Sequence, residues 1–533
     1  MTPEEQQIFA NIDRINGAQA AGEGMDIVIV STTSVAQEEY WQNRLTASRG
    51  QIIPEAASVT AVHEDWPDGA GNGLGTLYAV RKAAVKLREL DDIDLFERMA
   101  GGAAVALYHT AGKGTRLAPL PGSENNNKPG VKLPALVTIN GVTVPITILE
   151  AVIKQTAIYA AGRRGRLSVF WGDQIFIPAA SPDYKARHHA DILAKLGRMP
   201  SESEWSANAY DTYGLVAVDG GGHAVQVEKI SYDTAARLIA KGVLSADGGI
   251  GVSLGSFSMS VVMMEALLDE FWNELNARTG KLDSDPHFWM PMTLDAETYR
   301  DIMATKGTDQ ESADRHFRRM TAFTEKLTAA HPEVGLFGAV NVGVESCWWD
   351  YGQVPFYMNN NLMMTAEGIE ADAVRHFFQC DERRGACELG AELDVDSASC
   401  ILGSTLGVGR IRRSLVLGTF LGQVDIEDSV LINVTAPAVT ARSCLLYNLA
   451  ESQELRIVEG TVRADAFIPG SGRHTMQTQL RSDGGKDWFT ALPGNDLSYA
   501  DLHRLNMEVN TLEAEGMAQA EHRRIREGMD IAF

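Results

Sequence analysis

Residues 103–120 read AAVALYHTAGKGTRLAPL, and the fold follows from how that stretch divides. Its first part, AAVALYHT (103–110), is a short apolar run that stops at a glycine loop, the pattern of a buried strand. The loop AGKGTRL then carries Gly112 and Gly114, which let the backbone approach a ligand closely and aim N–H groups at phosphate. Arg116 adds a planar fork suited to phosphate oxygens, and Lys128 and Lys132 follow as further cations. Working outward, MDIVIVSTTS (25–34) and SVTAVHED (58–65) upstream and LSVFWGD (167–173) downstream are strands of the same kind. Between them VAQEEYWQNRLTAS, LYAVRKAAVKLREL and ITILEAVIKQTAIYAAG have the pattern of helices. Strands alternating with helices predict a mostly parallel, Rossmann-like α/β sheet covered on both faces, with ligands at the carboxyl ends of its strands. Residues 174–360 continue as mixed strands and helices, with insertions expected at about 183–210 and 269–335.

The 533 residues exceed one compact core and call for two or three domains. Apolar residues are 45% and charged residues 22%, ordinary for a globular protein; no apolar run reaches membrane-spanning length, and the N-terminal stretch is polar and acidic rather than signal-like. A cytoplasmic, non-membrane protein is expected. The formal charge of −23 argues against nucleic-acid binding, while leaving room for a local basic pocket that holds an anionic small molecule. Five scattered cysteines (347, 380, 387, 400 and 444) match no common zinc spacing and read as free thiols.

After about residue 385 the texture changes. Short apolar pairs recur every five to seven residues, with Gly, Asp and Ser between them, through CILGSTLGVGRIRRSLVLGTFLGQVDIEDSVLINV. That pattern predicts a few coils of a β-helix, with a sandwich as the competing reading. The expected domains are therefore 1–384 (catalytic), 385–470 (β-helix) and 471–533 (helical tail).

The motif GKGTRLAP followed by VKLPAL resembles the signature of the sugar-1-phosphate nucleotidylyltransferases, the nucleotide-sugar pyrophosphorylases. The resemblance recurs in order over about residues 103–360. Trp171-Gly172-Asp173 resembles the family's strand-end metal carboxylate. Tyr213-Gly214 and Glu228-Lys229 are similar to its sugar-binding pairs, Ser253 falls on a further sugar-contacting strand, and Trp349-Asp350-Tyr351-Gly352 resembles its second metal motif. Ala111 replaces a usual Gly, and Ser253 a usual Asn or Thr.

In the usual family order two strands separate the lysine from the Gly-Asp strand, whereas here the helix at 146–162 runs straight into LSVFWGD. The two upstream strands resemble the missing pair, and the second leads into a base-binding G-T-x-x-A turn at Gly75-Thr76. A circularly permuted nucleotidyltransferase core is therefore expected, near the fucose-1-phosphate guanylyltransferase group.

The resemblance implies transfer of a nucleotidyl group from a nucleoside triphosphate, UTP or GTP, to a sugar 1-phosphate, releasing pyrophosphate. Asp173 and Asp350 would hold Mg²⁺. Arg116 would grip the leaving phosphates and Lys132 the α-phosphate or sugar phosphate. Gly75, Thr76, Ala111, Gly112, Gly114 and Thr115 would surround the nucleotide, with Asn72 a base reader. Gly214, Glu228, Lys229 and Ser253 would hold the sugar. Asp285-Pro286-His287-Phe288-Trp289 reads either as lining for the sugar pocket or as a packed aromatic loop. A homo-oligomer through the β-helix is the expected assembly. A non-catalytic nucleotide-binding homologue and a β-helix acyltransferase are the competing functions.

Overall fold

Strand β1 (Ile27–Thr32) is buried along all six residues, as its apolar, β-branched sequence requires of a strand covered on both faces. It lies parallel to β2 (Ser58–His63) on one side and to β3 (Val105–His109) on the other, and β3 in turn lies parallel to β4 (Arg166–Trp171). The computed structural model containing these strands describes residues 1–110 and 112–529. It is mixed α/β with parallel sheets. Helix Val35–Ala47 joins β1 to β2, opened by Ser34, whose hydroxyl accepts from the Gln37 amide; helix Gly71–Asp91 leads back towards β3.

Among the described residues the main sheet has nine strands. Beyond β4 lies the long strand β8 (Gly249–Ser260), antiparallel to it. β8 also pairs with β5 (His188–Gly197) and, through its first residues, with β6 (Gly214–Val218). β7 (Ala224–Glu228) flanks β6 and β9 (Gly335–Asn341) runs parallel to β5. The register of β8 slips between Ser253 and Phe257, which turns its first half towards β6. The stretch 183–210, expected as an insertion, instead supplies β5. Its polar residues conceal it: Asp191 is buried against Arg166 at 3.0 Å, so a charged pair stands where an apolar side chain would have signalled a strand.

From Arg384 on, the chain winds through parallel strands that repeat every 15 residues. Cys400–Leu402, Leu415–Leu417, Val430–Ile432 and Leu445–Tyr447 stack in one sheet; Thr405–Arg412, Phe420–Glu427 and Thr435–Arg442 stack in the other. The corners are built as ladders. Ser414 N donates to Ser399 Oγ, Ser429 N to Ser414 Oγ and Cys444 N to Ser429 Oγ, each at 3.1 Å, so that buried backbone donors are satisfied one coil below. The sheet ends later than residue 470: Gly472–Gln479 folds back antiparallel on Thr461–Ile468 and caps the parallel edge. Helices Tyr499–Asn506 and Thr511–Glu527 then return across the outside of both units. The five cysteines are free. Among the described residues no helix is long and apolar enough to cross a membrane.

Candidate active site

In space the four parallel strands run β2, β1, β3, β4. From β1 the chain moves outward to β2, then returns past β1 to β3 and onward to β4. The strand order thus reverses between β1 and β3, and open parallel sheets form their ligand crevice at the carboxyl ends beside such a point. The glycine loop after β3 emerges there. Gly112 and Gly114 both take left-handed backbone (φ 132° and 62°). A side chain on Gly114 would meet Pro121 and Lys128 at 3.1–3.2 Å, so the glycine lets the loop close over Lys128. Thr115 opens the short turn Thr115–Leu117, anchored by fully buried Leu117, while Arg116 is left exposed to the crevice. Ala111 lies outside the described residues.

The strand-end Asp173 is brought to Asp350 by a two-stranded ribbon. Gln174–Ile177 pairs antiparallel with Cys347–Asp350, setting Asp350 opposite Gln174, and the Tyr351 amide donates to the Asp173 carbonyl at 3.0 Å. Gly352 completes the corner: its amide donates to Asp350 Oδ1 at 2.6 Å. A methyl group added there would stand 2.9 Å from Asp350 Oδ1, 3.0 Å from Asp173 Oδ2 and 3.6 Å from Lys128 Nζ. Two carboxylates separated by 177 positions in the chain therefore face a single point. Burial, and then the neighbouring Asp173, raise the Asp350 carboxyl above its usual range; the Gly352 amide, Lys128 and Arg116 oppose the rise. Among the described residues no three His, Cys, Asp or Glu side chains form a ready cage for a metal. Two hard carboxylate oxygens within 3.0 Å of one shared point do fit Mg²⁺, which commonly takes one or two protein carboxylates and completes its shell with water and phosphate.

The lysine beside these acids is Lys128, not Lys132. Lys128 Nζ pairs with Asp173 Oδ2. Lys132 points the other way, donating to Glu124 Oε2 and to the Gly130 carbonyl, each at 3.0 Å. The sequence expectation for Lys132 is corrected accordingly. Strand Lys132–Ile139 begins at this residue, and its pairing with Val142–Thr147 directs the side chain away from the crevice. Nor is the Asn125-Asn126-Asn127 run loose. Asn125 and Asn126 sit in left-handed backbone, Asn126 Nδ2 donates to the His503 carbonyl at 2.7 Å, and Asn127 Oδ1 accepts from Trp41 Nε1 at 2.9 Å.

On the side of β1 and β2, Gly75 and Thr76 lie in the first turns of helix Gly71–Asp91. Gly75 leaves room for Glu64, whose Oε2 would lie 3.0 Å from a side-chain carbon there. Thr76 is buried; it bonds the Asn72 carbonyl at 2.7 Å and lies 2.8 Å from His109 Nε2. It supports His109 from behind, and His109 stacks on Trp171 with centroids 5.4 Å apart. Burial lowers the His109 pKa to about 4, so its ring is neutral. Asn72 is tied to the 283–284 loop: its Oδ1 accepts from the Ser284 amide at 2.6 Å, and its backbone N–H donates to Asp283 Oδ1 at 3.0 Å.

On the opposite side Gly214, Ser253, Glu228 and Lys229 do converge. A carbon on Gly214 would lie 3.4 Å from Ser253 Cβ, 3.3 Å from Gln226 Nε2 and 3.7 Å from Asp285 Oδ2. Ser253 Oγ accepts from the Gly255 amide at 3.0 Å. Glu228 bonds Lys306 at 2.9 Å and Lys229 at 3.2 Å; burial works against its charge, but Lys306 prevails and keeps the carboxyl low. Asp285 differs. Burial, reinforced by Glu228, pushes its carboxyl up to about 7. Gln226 is fully buried beside Asp285, and its side-chain amide favours the Asp285 carboxylate against that rise. Gln226 carried no signal in the sequence, and Asp285 only its place before an aromatic run. Tyr213 tilts against Trp348 at 5.5 Å and lines a cleft of about 470 Å³ with Lys195, whose ammonium burial disfavours. Trp348 Nε1 donates to Gln174 at 3.2 Å, tying this cleft to the acid ribbon.

No family model matches the chain, and no curated protein is significantly similar to it.

Proposed function

We propose that this protein is a magnesium-dependent sugar-1-phosphate nucleotidylyltransferase. The observation that carries the reading is the convergence of Asp173, Asp350 and Lys128 on one point beside a glycine loop, at the reversal of strand order. In the proposed reaction a phosphate oxygen of the sugar 1-phosphate attacks the α-phosphorus of UTP or GTP. The bond from the α-phosphorus to the bridging oxygen breaks, and pyrophosphate leaves. No covalent enzyme intermediate is needed, so the protein's work is positioning and charge neutralisation.

Asp173 and Asp350 would hold Mg²⁺, which supplies charge neutralisation at the phosphates. Lys128, already beside Asp173, is the ammonium closest to that chemistry. Arg116, exposed at the crevice, meets the β- and γ-phosphates and the departing pyrophosphate. The Gly112–Thr115 amides cradle phosphate, and the neutral His109 with Trp171 forms an aromatic wall near the nucleoside. Gly214, Ser253, Glu228, Lys229, Gln226 and Asp285 take the sugar; the Gln226 amide and the Asp285 carboxyl offer both donors and acceptors to hydroxyls. The permuted order is supported by the placement of β1 and β2 as parallel neighbours beside the glycine-loop strand, where the displaced pair must lie. We read the nine-stranded sheet as Rossmann-like and residues 384–479 as a β-helix of 15-residue coils, the surface through which copies of the chain would associate. A cytoplasmic setting belongs to the same reading.

The test is a matrix of nucleoside triphosphates against sugar 1-phosphates with Mg²⁺, read by pyrophosphate release. Release with one sugar 1-phosphate and UTP or GTP is expected. Nucleotide binding without release from any pair would overturn the enzymatic reading in favour of a binding module.

A further inference from the structure

Strand β5 carries Lys195, which sits opposite Val252 of β8 and lines the cleft of about 470 Å³. That volume is in the range of small-molecule sites, roughly 300–1,000 Å³. Lys195 is half-buried and makes no hydrogen bond or ion pair among the described residues; Cys347, Glu370 and Glu345 act on it only at a distance. Burial disfavours its bare ammonium, and a counter-anion in the cleft would relieve that cost. The other cation on the lining, Arg198, is already paired with the carboxylate of Glu204, which also lines the cleft. One positive charge is thus left uncompensated, a match for a single negative charge on a ligand.

The wall facing Lys195 is aromatic. Tyr213 is 37% exposed and tilts against Trp348, whose indole is held by its bond to Gln174. Such ring faces suit the C–H face of a sugar ring. Trp348 and Asp350 lie two residues apart on one strand, so their side chains leave it on the same face, roughly 6.6 Å apart along the backbone. A ring resting on Trp348 therefore begins one pleat from the acid pair. Tyr213 and Val252 line the cleft, while their chain neighbours Gly214 and Ser253 lie against each other in the sugar group, so cleft and sugar residues share one rim of β6 and β8.

We propose that the acceptor is a uronic acid 1-phosphate: its phosphate reaches the acid pair, its ring lies against Tyr213 and Trp348, and its carboxylate pairs with Lys195. The chemistry rests on the nucleotidyl-transfer reading above, whereas recognition of the carboxylate rests on the cleft alone.

The experiment measures binding to the full chain by calorimetry, with Mg²⁺ and without nucleoside triphosphate. The probes are glucuronic acid 1-phosphate and galacturonic acid 1-phosphate, each against its parent hexose 1-phosphate. At least one uronate should bind at least tenfold more tightly than its parent. Lys195→Met should abolish that preference and Lys195→Arg should keep it, with nucleoside triphosphate binding unchanged in both. No binding of either uronate, equal affinity within both pairs, or a preference that Lys195→Met retains overturns the proposal. Pyrophosphate release from the same four sugar phosphates, with UTP and with GTP, separates the two readings. A uronate preference in binding with no release overturns nucleotidyl transfer and leaves carboxylate recognition by Lys195 standing. Release from the hexose 1-phosphates with no uronate preference overturns the acceptor class alone.

Discussion

Gly352→Ala is the sharpest perturbation of the acid pair, because it alters neither carboxylate and no charge. The added methyl would stand 2.9 Å from Asp350 Oδ1 and 3.0 Å from Asp173 Oδ2, whereas ordinary contact begins at 3.4 Å. Both oxygens must therefore retreat by about 0.4–0.5 Å, and the methyl fills the space they share. Mg²⁺ demands near-ideal octahedral geometry, and a displacement of about 1 Å can cost on the order of 100-fold in rate. We expect kcat/KM to fall about 10- to 100-fold, ~1.4–2.7 kcal/mol of transition-state stabilisation, with a higher Mg²⁺ requirement. Gly352 lies outside the left-handed region, so alanine fits the backbone and should leave Tm unchanged or slightly raised through the unfolded state. The assay is pyrophosphate release across a Mg²⁺ titration, paired with thermal unfolding. Wild-type rates at wild-type Mg²⁺ half-saturation in the folded variant would refute the shared point as the metal position.

Asp173→Asn should lower turnover by about 100- to 1,000-fold, the scale of removing one electrostatic group from a transition state, with circular dichroism unchanged; near-normal turnover would remove its metal role. Lys128→Met and Lys132→Met should separate cleanly. The first loses at least 100-fold in pyrophosphate release, while the second keeps activity per folded molecule within tenfold and loses about 3 kcal/mol in urea unfolding, because Glu124 is left buried and unpaired; the opposite ranking would restore Lys132 to the crevice. Asp285 binds a proton in the folded protein up to pH about 7, but in the unfolded chain only up to the ordinary carboxyl value of 3.8. The native state therefore holds the extra proton between those values, and stability falls as pH rises through that window. Asp285→Asn should flatten that slope in Tm measured from pH 4.5 to 8, and an unchanged slope would assign the titration elsewhere.

What the sequence disclosed was whatever depended on local pattern. The apolar runs ending in Gly, Asp or Ser marked β1 to β4, and the Gly-Asp and Trp-x-Asp-x-Gly motifs marked two acids that do meet. Positions that depend on which way a turn sends a side chain were opaque. Lys128 and Lys132 follow the same loop four residues apart, and only the register of the hairpin at 132–147 separates them. Asn72 has the type of a base reader, yet its side chain serves a loop 212 residues away. Strand β5 was hidden because its internal charge is paired with Arg166, a partner no local window contains. Gln226 was invisible for a similar reason: within an ordinary strand pattern, nothing distinguishes an amide that faces a carboxyl 59 residues away.

The ribbon of Gln174–Ile177 and Cys347–Asp350 makes the two acids neighbours whatever lies between them. The span from Pro178 to Ser346 is thus hung from a clasp, and those of its segments that lie outside the nine-stranded sheet, such as 261–334, can lengthen or shrink while the distance between the carboxylates stays fixed. On the proposed reading, a lineage could remodel sugar selectivity in those segments without disturbing the chemistry at the neck.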